Sequence, residues 1–316
     1  MIPTAAPPLS PYQPPAVPAW ALPRRPVTGD AEAAFLAGSA LTSLDNLVRA
    51  DLRWAGAWRQ RQALKAAAAA VRLAGRTEDE AALRDAWYLR QPGDDPGPAG
   101  TILAAWKRLA SRSSHVDGES LCGIAELLGL HWSAELATFP DRIDDLVRSG
   151  SPAPFAAAAI ATQLQALRPD GIVLAWWLAD LTLAQRLRWE RPVPLLVTQV
   201  HTAAFRAEGG RGRIRPGEEG FERAVCLALV QAVVDACRLA TEIGRRAERL
   251  AVVTPKLRAK GAGEAISLLL AEDAVSGSLV TPKLSRFAAR RLFERLTDLD
   301  AVRELSGRPT FRLYGL

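Results

Sequence analysis

One stretch, residues 218–253, most constrains what this chain can fold into. Nine apolar side chains recur along it at an average spacing of about 3.6 residues, the period of one face of an α-helix. Charged residues occupy the other side, and Pro255 ends the stretch. The pattern predicts the longest helix of the chain, packed on one side into a core. The nine residues are Phe221, Val225, Ala228, Ala232, Ala236, Leu239, Ile243, Ala247 and Leu250.

The same spacing elsewhere predicts an all-helical body over residues 29–255. Almost no run in it shows the strict apolar–polar alternation of a half-buried strand. With 49% hydrophobic residues in a chain of 316, a substantial core can be buried. We therefore expect a mainly α fold built as a multi-helix bundle. Besides 218–253, the predicted helices cover residues 31–48, 54–73, 78–89, 101–110, 118–128, 142–148, 154–167, 170–187 and 193–205.

Residues 1–28 form a proline-rich segment. They contain nine of the 22 prolines in the chain, and proline removes backbone donors and favours extended polyproline conformations. We expect a mobile tail or a strap lying along the body, with Tyr12 and Trp20 as anchors. A protein-interaction scaffold that docks a partner through this segment is one alternative function.

Residues 256–316 predict a smaller unit of a different kind. An apolar helix over residues 263–272 is followed by a polar connector and a second helix over residues 285–299. Two runs rich in aliphatic, aromatic and β-branched side chains, 301–305 and 310–314, then flank a turn. Pro282 in the connector argues against a regular middle helix. This order predicts a small winged helix-turn-helix domain with a C-terminal β-hairpin.

The second helix of this module has a predicted outer and inner side. Ser285 suits the N-cap, since its hydroxyl can accept a hydrogen bond from an amide of the first turn. Arg286 and Arg290 then project from the first turns, on the same side as Glu294. After the helix, Asp300 tolerates the left-handed conformation that a sharp exit requires. The predicted inward stripe consists of Ala288, Leu292, Leu296 and Leu299, with Ala289 and Phe293 at its margin.

The positive charge of the chain is concentrated in its last quarter. The net charge is +6, and residues 238–316 contain 15 basic and 9 acidic residues, so the remainder is neutral. A local basic excess is typical of a surface that binds a polyanion. We expect double-stranded DNA as the partner, contacted by the second helix and the hairpin. The predicted DNA-binding residues are Lys283, Ser285, Arg286, Arg290, Arg291, Arg308 and Arg312, with Lys256, Arg258 and Lys260 adding contacts.

A structural or oligomerisation domain is the alternative for this module. Its arginines would then pair with Glu294, Asp298 and Glu304 instead of phosphates. Arg290 and Glu294 are four residues apart, which is the spacing of an ion pair on one helix face. A homodimer stays open as a partner under both interpretations.

Two family resemblances add to these predictions. The C-terminal module resembles the winged helix that follows many Fic-domain proteins, through residues 285–296, 301–308 (AVRELSGR) and 312–314 (RLY). Nearly the whole chain resembles an uncharacterised bacterial family, domain of unknown function family 1403, through residues 58–61 (WRQR), 75–76 (GR), 78–87 (EDEAALRDAW) and 92–98 (PGDDPGP). That second family has no assigned activity, so this resemblance implies no function.

The Fic resemblance implies a motif in which a histidine acts as base and a glycine-rich loop binds phosphates. The nearest stretch here runs from His201 to Phe205 and continues from Glu208 to Arg213. Two extra residues separate His201 from Phe205, and the asparagine of that motif is absent. Because a base must lie within hydrogen-bond reach of its proton, we expect an inert loop. A degenerate Fic-like nucleotidyl transferase stays the alternative enzyme.

The sequence gives little support for a metal site, a disulfide or a membrane span. Cys122, Cys226 and Cys237 form no CxxC pair, and the three histidines are far apart without zinc-type spacing, so we expect no metal and no cofactor. The odd number of cysteines favours a reducing cytoplasm. Each of the most apolar stretches is too short or too charged to predict a membrane span.

A pair of aspartates and a pair of tryptophans can each be interpreted either as structural or as functional. Asp94-Asp95 lies between prolines and glycines, where turn chemistry is favoured over metal binding. Trp58 and Trp87 stand near arginines and favour core packing, with stacking on a nucleotide as the alternative.

Overall fold

The fold is mainly α, as the sequence predicts. The computed structural model describes residues 13–90, 93–207, 212–257 and 261–316. The body contains α1 (Asp30–Arg49), α2 (Ala55–Leu73), α3 (Glu80–Tyr88), α4 (Gly97–Ser111), α5 (Gly118–Leu127), α6 (Phe139–Arg148), α7 (Ala153–Leu167), α8 (Ile172–Arg186) and α9 (Phe221–Val253).

Helix α9 is the central element of the body. The nine apolar residues of its predicted face are all buried. Residues between them, such as Cys226 and Val233, are buried as well, because α1, α2 and α7 all pack against this helix. On the predicted charged side, Arg238, Glu242, Arg245 and Arg249 are exposed, and Arg246 is half-buried.

This helix also bears on the membrane prediction. By length and composition, Phe221–Lys256 is the one segment of the described chain that could cross a membrane. However, 67% of its most apolar window is buried inside the fold. Since core helices pass the same test, this segment is weak support for a membrane span.

The predicted helix over residues 193–205 is wrong. The chain forms two short 3₁₀ turns there, Leu196–Gln199 and Ala203–Phe205. The carboxylate of Asp180 accepts the backbone amides of Leu195 and Leu196, both at 3.0 Å. These amides are therefore bound to a side chain of α8 instead of a helical carbonyl. Apolar spacing cannot reveal this competition.

Local backbone chemistry moves the start of several helices. Helix α4 begins at Gly97 instead of residue 101, since Pro98 suits a first helical turn. Helix α9 begins at Phe221 because Gly220 adopts φ 78°, which ends the preceding turn. At α3 the predicted acidic start is confirmed, since Asp79 accepts the Ala82 amide at 2.8 Å.

The C-terminal module contains two helices and a small sheet. Helices α10 (Ala262–Ala271) and α11 (Arg286–Asp298) accompany strands β1 (Val275–Ser276), β2 (Arg303–Glu304) and β3 (Leu313–Gly315). The strands are antiparallel in the order β1-β3-β2, so the strand before α11 lies beside the hairpin that follows it. Turns occupy the connector between β1 and α11, in agreement with the prediction against a middle helix.

The register of α11 differs from the prediction by a small rotation. Ala289, Leu292, Phe293 and Leu296 are buried, whereas Ala288 and Leu299 lie at the edge. Phe293 stacks on Tyr314 of β3 with 4.8 Å between the ring centroids. The sheet therefore covers the side of the helix that carries Ala289 and Phe293.

Two predictions about the ends of α11 are confirmed. The Ser285 hydroxyl accepts the Ala288 amide at 3.3 Å, and Asp300 adopts φ 51°. The strands that follow are shorter than predicted, because Ala301 and Val302 form bends and Phe311 adopts φ 54°.

A buried ion cluster attaches this module to the body. Asp273, between α10 and β1, accepts hydrogen bonds from Arg61 of α2 and from Arg84 of α3. Arg61 also donates to the carbonyl of Leu316 at 3.4 Å. Helix α10 approaches α2 so closely that a Cβ at Gly56 would lie 2.9 Å from the Ala271 Cα.

The described part of the proline-rich segment lies along α1 as a strap. Ala21 and Val27 are buried, and Ser43 of α1 donates to the carbonyl of Ala16 at 3.2 Å. Trp20 packs on Phe35 with 5.7 Å between the centroids, although it stays 60% exposed. Tyr12, the other expected anchor, lies outside the described residues.

Candidate nucleic-acid interface

A groove of about 540 Å³ lies between the end of α3, the turn after β1, the start of α11 and the hairpin. We call it the arginine groove, because Arg90, Arg286, Arg290 and Arg312 line it. Among the described residues in its wall, none is acidic. Its other polar and aromatic lining residues include Ser276, Ser278, Thr310, Tyr88, Phe311 and Tyr314.

Helix α11 supplies two of the four guanidinium groups. The Ser285 cap fixes the start of the helix, so Arg286 and Arg290 lie one turn apart on the side facing the groove. Arg286 is exposed and forms no ion pair with another described residue. Arg290 is 71% exposed and pairs with Glu294, at 3.1 Å between Nε and Oε1.

The hairpin supplies Arg312 and an exposed aromatic ring. Arg312 lies 3.6 Å from a carboxylate oxygen of Glu304. Beside it, the Phe311 side chain is 70% exposed on a residue with positive φ. A bulky residue rarely adopts a positive φ. At Phe311 this backbone conformation places the ring in solvent beside the arginines.

The opposite wall of the groove comes from the turn after β1 and the end of α3. The Gly277 amide donates to the carbonyl of Arg312 at 2.8 Å. A Cβ at this position would lie 2.8 Å from the Tyr314 ring, so only glycine permits the close approach. Arg90 stacks over Trp87 at 4.4 Å from the ring centroid, which positions its guanidinium group.

The other predicted DNA-binding residues lie outside the groove. Lys283 and Arg291 are exposed and form no ion pair within the described chain. The Ser285 hydroxyl is occupied by its capping bond. Arg308 pairs with Asp85 of α3, so the hairpin tip contacts the body. Arg258 and Lys260 lie outside the described residues, whereas Lys256 is exposed.

Three residues of this surface were missing from the sequence prediction. Phe287 is 76% exposed on α11, and Phe311 is similarly exposed on the hairpin. The buried stripe through Leu292 and Phe293 places Phe287 outward, so a corrected helical register would have found it. Arg90 joins the groove from a distant part of the sequence, which helical spacing cannot indicate.

Comparison with known proteins identifies the family. The family model described as protein of unknown function (DUF1403) matches residues 9–316. This chain belongs to the DUF1403 family. No curated protein matches the chain. The DUF1403 match extends through the C-terminal module, and the resemblance of that module to the winged helix of Fic-domain proteins is not confirmed.

The Fic-like stretch of this DUF1403 chain brings His201 close to Arg213. The guanidinium group of Arg213 faces Nδ1 of His201 and donates to the carbonyl of Val200 at 3.1 Å. Burial, Arg213 and Arg72 lower the pKa of His201, while the Ala69 carbonyl acts in the opposite direction. A hydrogen bond from Arg213 to Nδ1 would place the proton of a neutral ring on Nε2. Glu208 and the residues up to position 211 lie outside the described residues.

The two tryptophans for which nucleotide stacking is an alternative, Trp58 and Trp87, differ in burial. Trp58 is 1% exposed and donates its indole N–H to the carbonyl of Ala236 at 3.0 Å. Arg84 is bound to Asp273. Trp58 is therefore a core residue, and stacking on a nucleotide stays a prediction only for Trp87, which already stacks on Arg90.

Proposed function

We propose that this protein binds double-stranded DNA through its C-terminal module, residues 256–316, in transcriptional or plasmid-related regulation. The order of its elements supports this proposal. Helix, strand, helix and hairpin, with the hairpin beside the first strand, resemble the order of a winged helix without its middle helix. In such a domain the first turns of the second helix enter the major groove.

The arginine groove carries the proposal. A guanidinium group donates a planar pair of hydrogen bonds that matches a phosphate or a guanine edge. Arg90, Arg286, Arg290 and Arg312 come together from three parts of the chain, the end of α3, α11 and the hairpin, without an acidic residue in the described wall. A local concentration of positive charge of this kind attracts a polyanion.

The ion pairs of Arg290 and Arg312 are weak obstacles to DNA binding. Both arginines pair on the surface, at 3.1 Å from Glu294 and 3.6 Å from Glu304. Exposed pairs of this kind contribute only about 0–1 kcal/mol. A phosphate contact releases condensed counterions from DNA and compensates for the exchange. The alternative of a purely structural module would leave Arg286, which has no ion pair in the described chain, without a role.

The experiment is a DNA retardation assay on the full chain. The isolated module is unsuitable, because Asp273 is buried between two arginines of the body. We expect retardation of duplex DNA that Arg286→Ala and Arg290→Ala each weaken. Arg148→Ala is the matched control, since Arg148 is 73% exposed and pairs with Asp145 on α6 as Arg290 pairs with Glu294. Equal losses in all three variants, or no retardation, would contradict the proposal.

The degenerate Fic-like nucleotidyl transferase is the second candidate. The contact between His201 and Arg213 favours it, since a histidine beside an arginine is part of that motif. The lowered pKa favours the neutral ring that a base requires, although Nδ1 of this ring faces Arg213. Its test is nucleotide binding, with Arg286→Ala to distinguish binding in the arginine groove from binding near His201.

A further inference from the structure

A polar cavity of about 370 Å³ lies in the body between α2, α9 and the 3₁₀ turn Leu196–Gln199. Its lining residues are different from those of the arginine groove. The volume falls in the range of roughly 300–1,000 Å³ that small-molecule sites occupy. Ala68, Ala69 and Ala232 leave this space open, because their side chains are short.

Two buried polar atoms in the cavity wall, Oε1 of Gln199 and Nε2 of His201, have no hydrogen-bond partner among the described residues. Gln62 of α2, which is 4% exposed, also lines the cavity. Gln199 is 3% exposed, donates to Asp235 at 3.1 Å and leaves Oε1 without a partner in the described chain. Buried polar groups without partners are rare in native proteins. Two of them in the wall of one cavity point to a ligand that supplies the missing hydrogen bonds.

The charges around the cavity define the ligand. Lys65 and Glu80 pair with each other at 3.4 Å, and Asp235 accepts two glutamine amides. Arg72, Arg238 and Glu242 also line the cavity. None of these two cations and one anion forms an ion pair within the described chain. A ligand that carries both signs of charge satisfies both kinds of group.

We infer that this cavity binds a small zwitterion of the amino-acid class. Arg72 and Arg238 bind the carboxylate of the ligand, and Glu242 binds its ammonium group. The amides of Gln62 and Gln199 satisfy its remaining donors and acceptors. His201 borders the site with an Nε2 that no described residue hydrogen-bonds. This site is independent of DNA binding.

The test measures thermal unfolding of the full chain with each of the twenty standard amino acids in turn. Acetate and ethylamine serve as probes with a single charge. We expect at least one amino acid to raise the Tm by roughly 3 °C or more at saturation. The single-charge probes are expected to give no rise. A rise with acetate or ethylamine alone, or no rise with any amino acid, would overturn the inference.

Variants separate ligand binding from a structural role of Gln62. Gln62→Met keeps the volume and removes the amide, so the ligand-induced rise should disappear while the Tm without ligand stays equal or increases. Arg238→Gln, on the exposed side of α9, should also abolish the rise without harming the fold. The matched control is Arg245→Gln, which lies on the exposed side of α9 outside the cavity and should keep the rise. A rise that persists in Gln62→Met and Arg238→Gln would place the ligand elsewhere and refute the assignment.

Discussion

Arg61 of α2 and Asp273 of the C-terminal module form a buried ion pair across 212 residues of sequence. Arg84 of α3 binds the second oxygen of the same carboxylate at 2.7 Å. Each carboxylate oxygen therefore has a guanidinium partner from a different body helix. The pair makes the module part of the folded body, and the stability of one depends on the other.

Removing the Asp273 carboxylate should destabilise the whole protein. Asp273→Ala leaves two arginines buried without their partner, for which we expect a loss of about 3–5 kcal/mol in the free energy of unfolding. Denaturant titration would measure it. Asp170→Ala is the control, because Asp170 is 60% exposed in its pair with Arg168, and it should cost at most about 1 kcal/mol. Similar losses of stability at both positions would contradict a larger contribution from the buried carboxylate of Asp273.

The same carboxylate predicts an acid-sensitive fold. Burial alone would raise the pKa of Asp273, but Arg61 and Arg84 hold it below the ordinary value. The carboxylate thus contributes stability that is present above its unfolded pKa, near 3.9, and is lost as the pH falls through its folded pKa. We expect the free energy of unfolding to fall in this acid range, and to fall less steeply in Asp273→Asn. Parallel pH profiles for both proteins would contradict this assignment.

The sequence predicts the helices well because their signal is local. Apolar residues at helical spacing gave α9 its buried face, and Ser285 and Asp300 gave α11 its ends. The segment 193–205 failed because its first amides bind Asp180, a group 15 residues earlier. A side chain that replaces a helical carbonyl leaves no trace in hydrophobic spacing.

The candidate site was predictable only in part, for a similar reason. Arg286 and Arg290 follow from helix phase, so the sequence places them on one side of α11. The contacts of Arg90 and Arg308 depend on how α3 meets the hairpin. Those long-range neighbours are set by the ion cluster around Asp273, which sequence spacing does not reveal.

DNA binding should weaken steeply with salt. Each phosphate neutralised on duplex DNA contributes about −0.9 to the slope of log K against log salt concentration. If three to five of the predicted arginines contact phosphates, we expect a slope of roughly −3 to −5. Retardation or fluorescence anisotropy over a range of salt concentrations measures this slope. A flat response would remove the electrostatic basis of the proposed function.

Glu294→Ala distinguishes DNA binding from a structural role of α11. The substitution frees Arg290 and removes a negative charge beside the groove, so we expect tighter DNA binding at low salt. A structural role predicts a different result, a loss of about 0.3–0.5 kcal/mol in stability with no gain in binding. Glu248→Ala on α9 is a control for the change in net charge. Equal gains in both variants would indicate a nonspecific charge effect.

Asp85→Ala tests whether the hairpin tip can contact DNA. Arg308 at this tip is bound to Asp85 of α3, which competes with any phosphate. We expect the variant to bind all duplex sequences more tightly by a similar factor, because a phosphate contact carries no sequence information. The double variant Asp85→Ala with Arg308→Ala should lose this gain. A gain that persists in the double variant would place the effect outside Arg308.

The last prediction concerns nucleotides, and it rests on His201 and Arg213. The Arg213 guanidinium faces Nδ1 of His201, and Nε2 is buried without a partner among the described residues. Because neither nitrogen is presented to solvent as a base, we expect ATP with magnesium to produce no thermal stabilisation at this site. The measurement is sensitive, since a ligand at a hundred times its Kd contributes about 2.7 kcal/mol. A rise in Tm that vanishes in His201→Ala and Arg213→Ala would support the nucleotidyl transferase instead. A rise that survives both variants but is lost in Arg286→Ala would locate the triphosphate in the arginine groove.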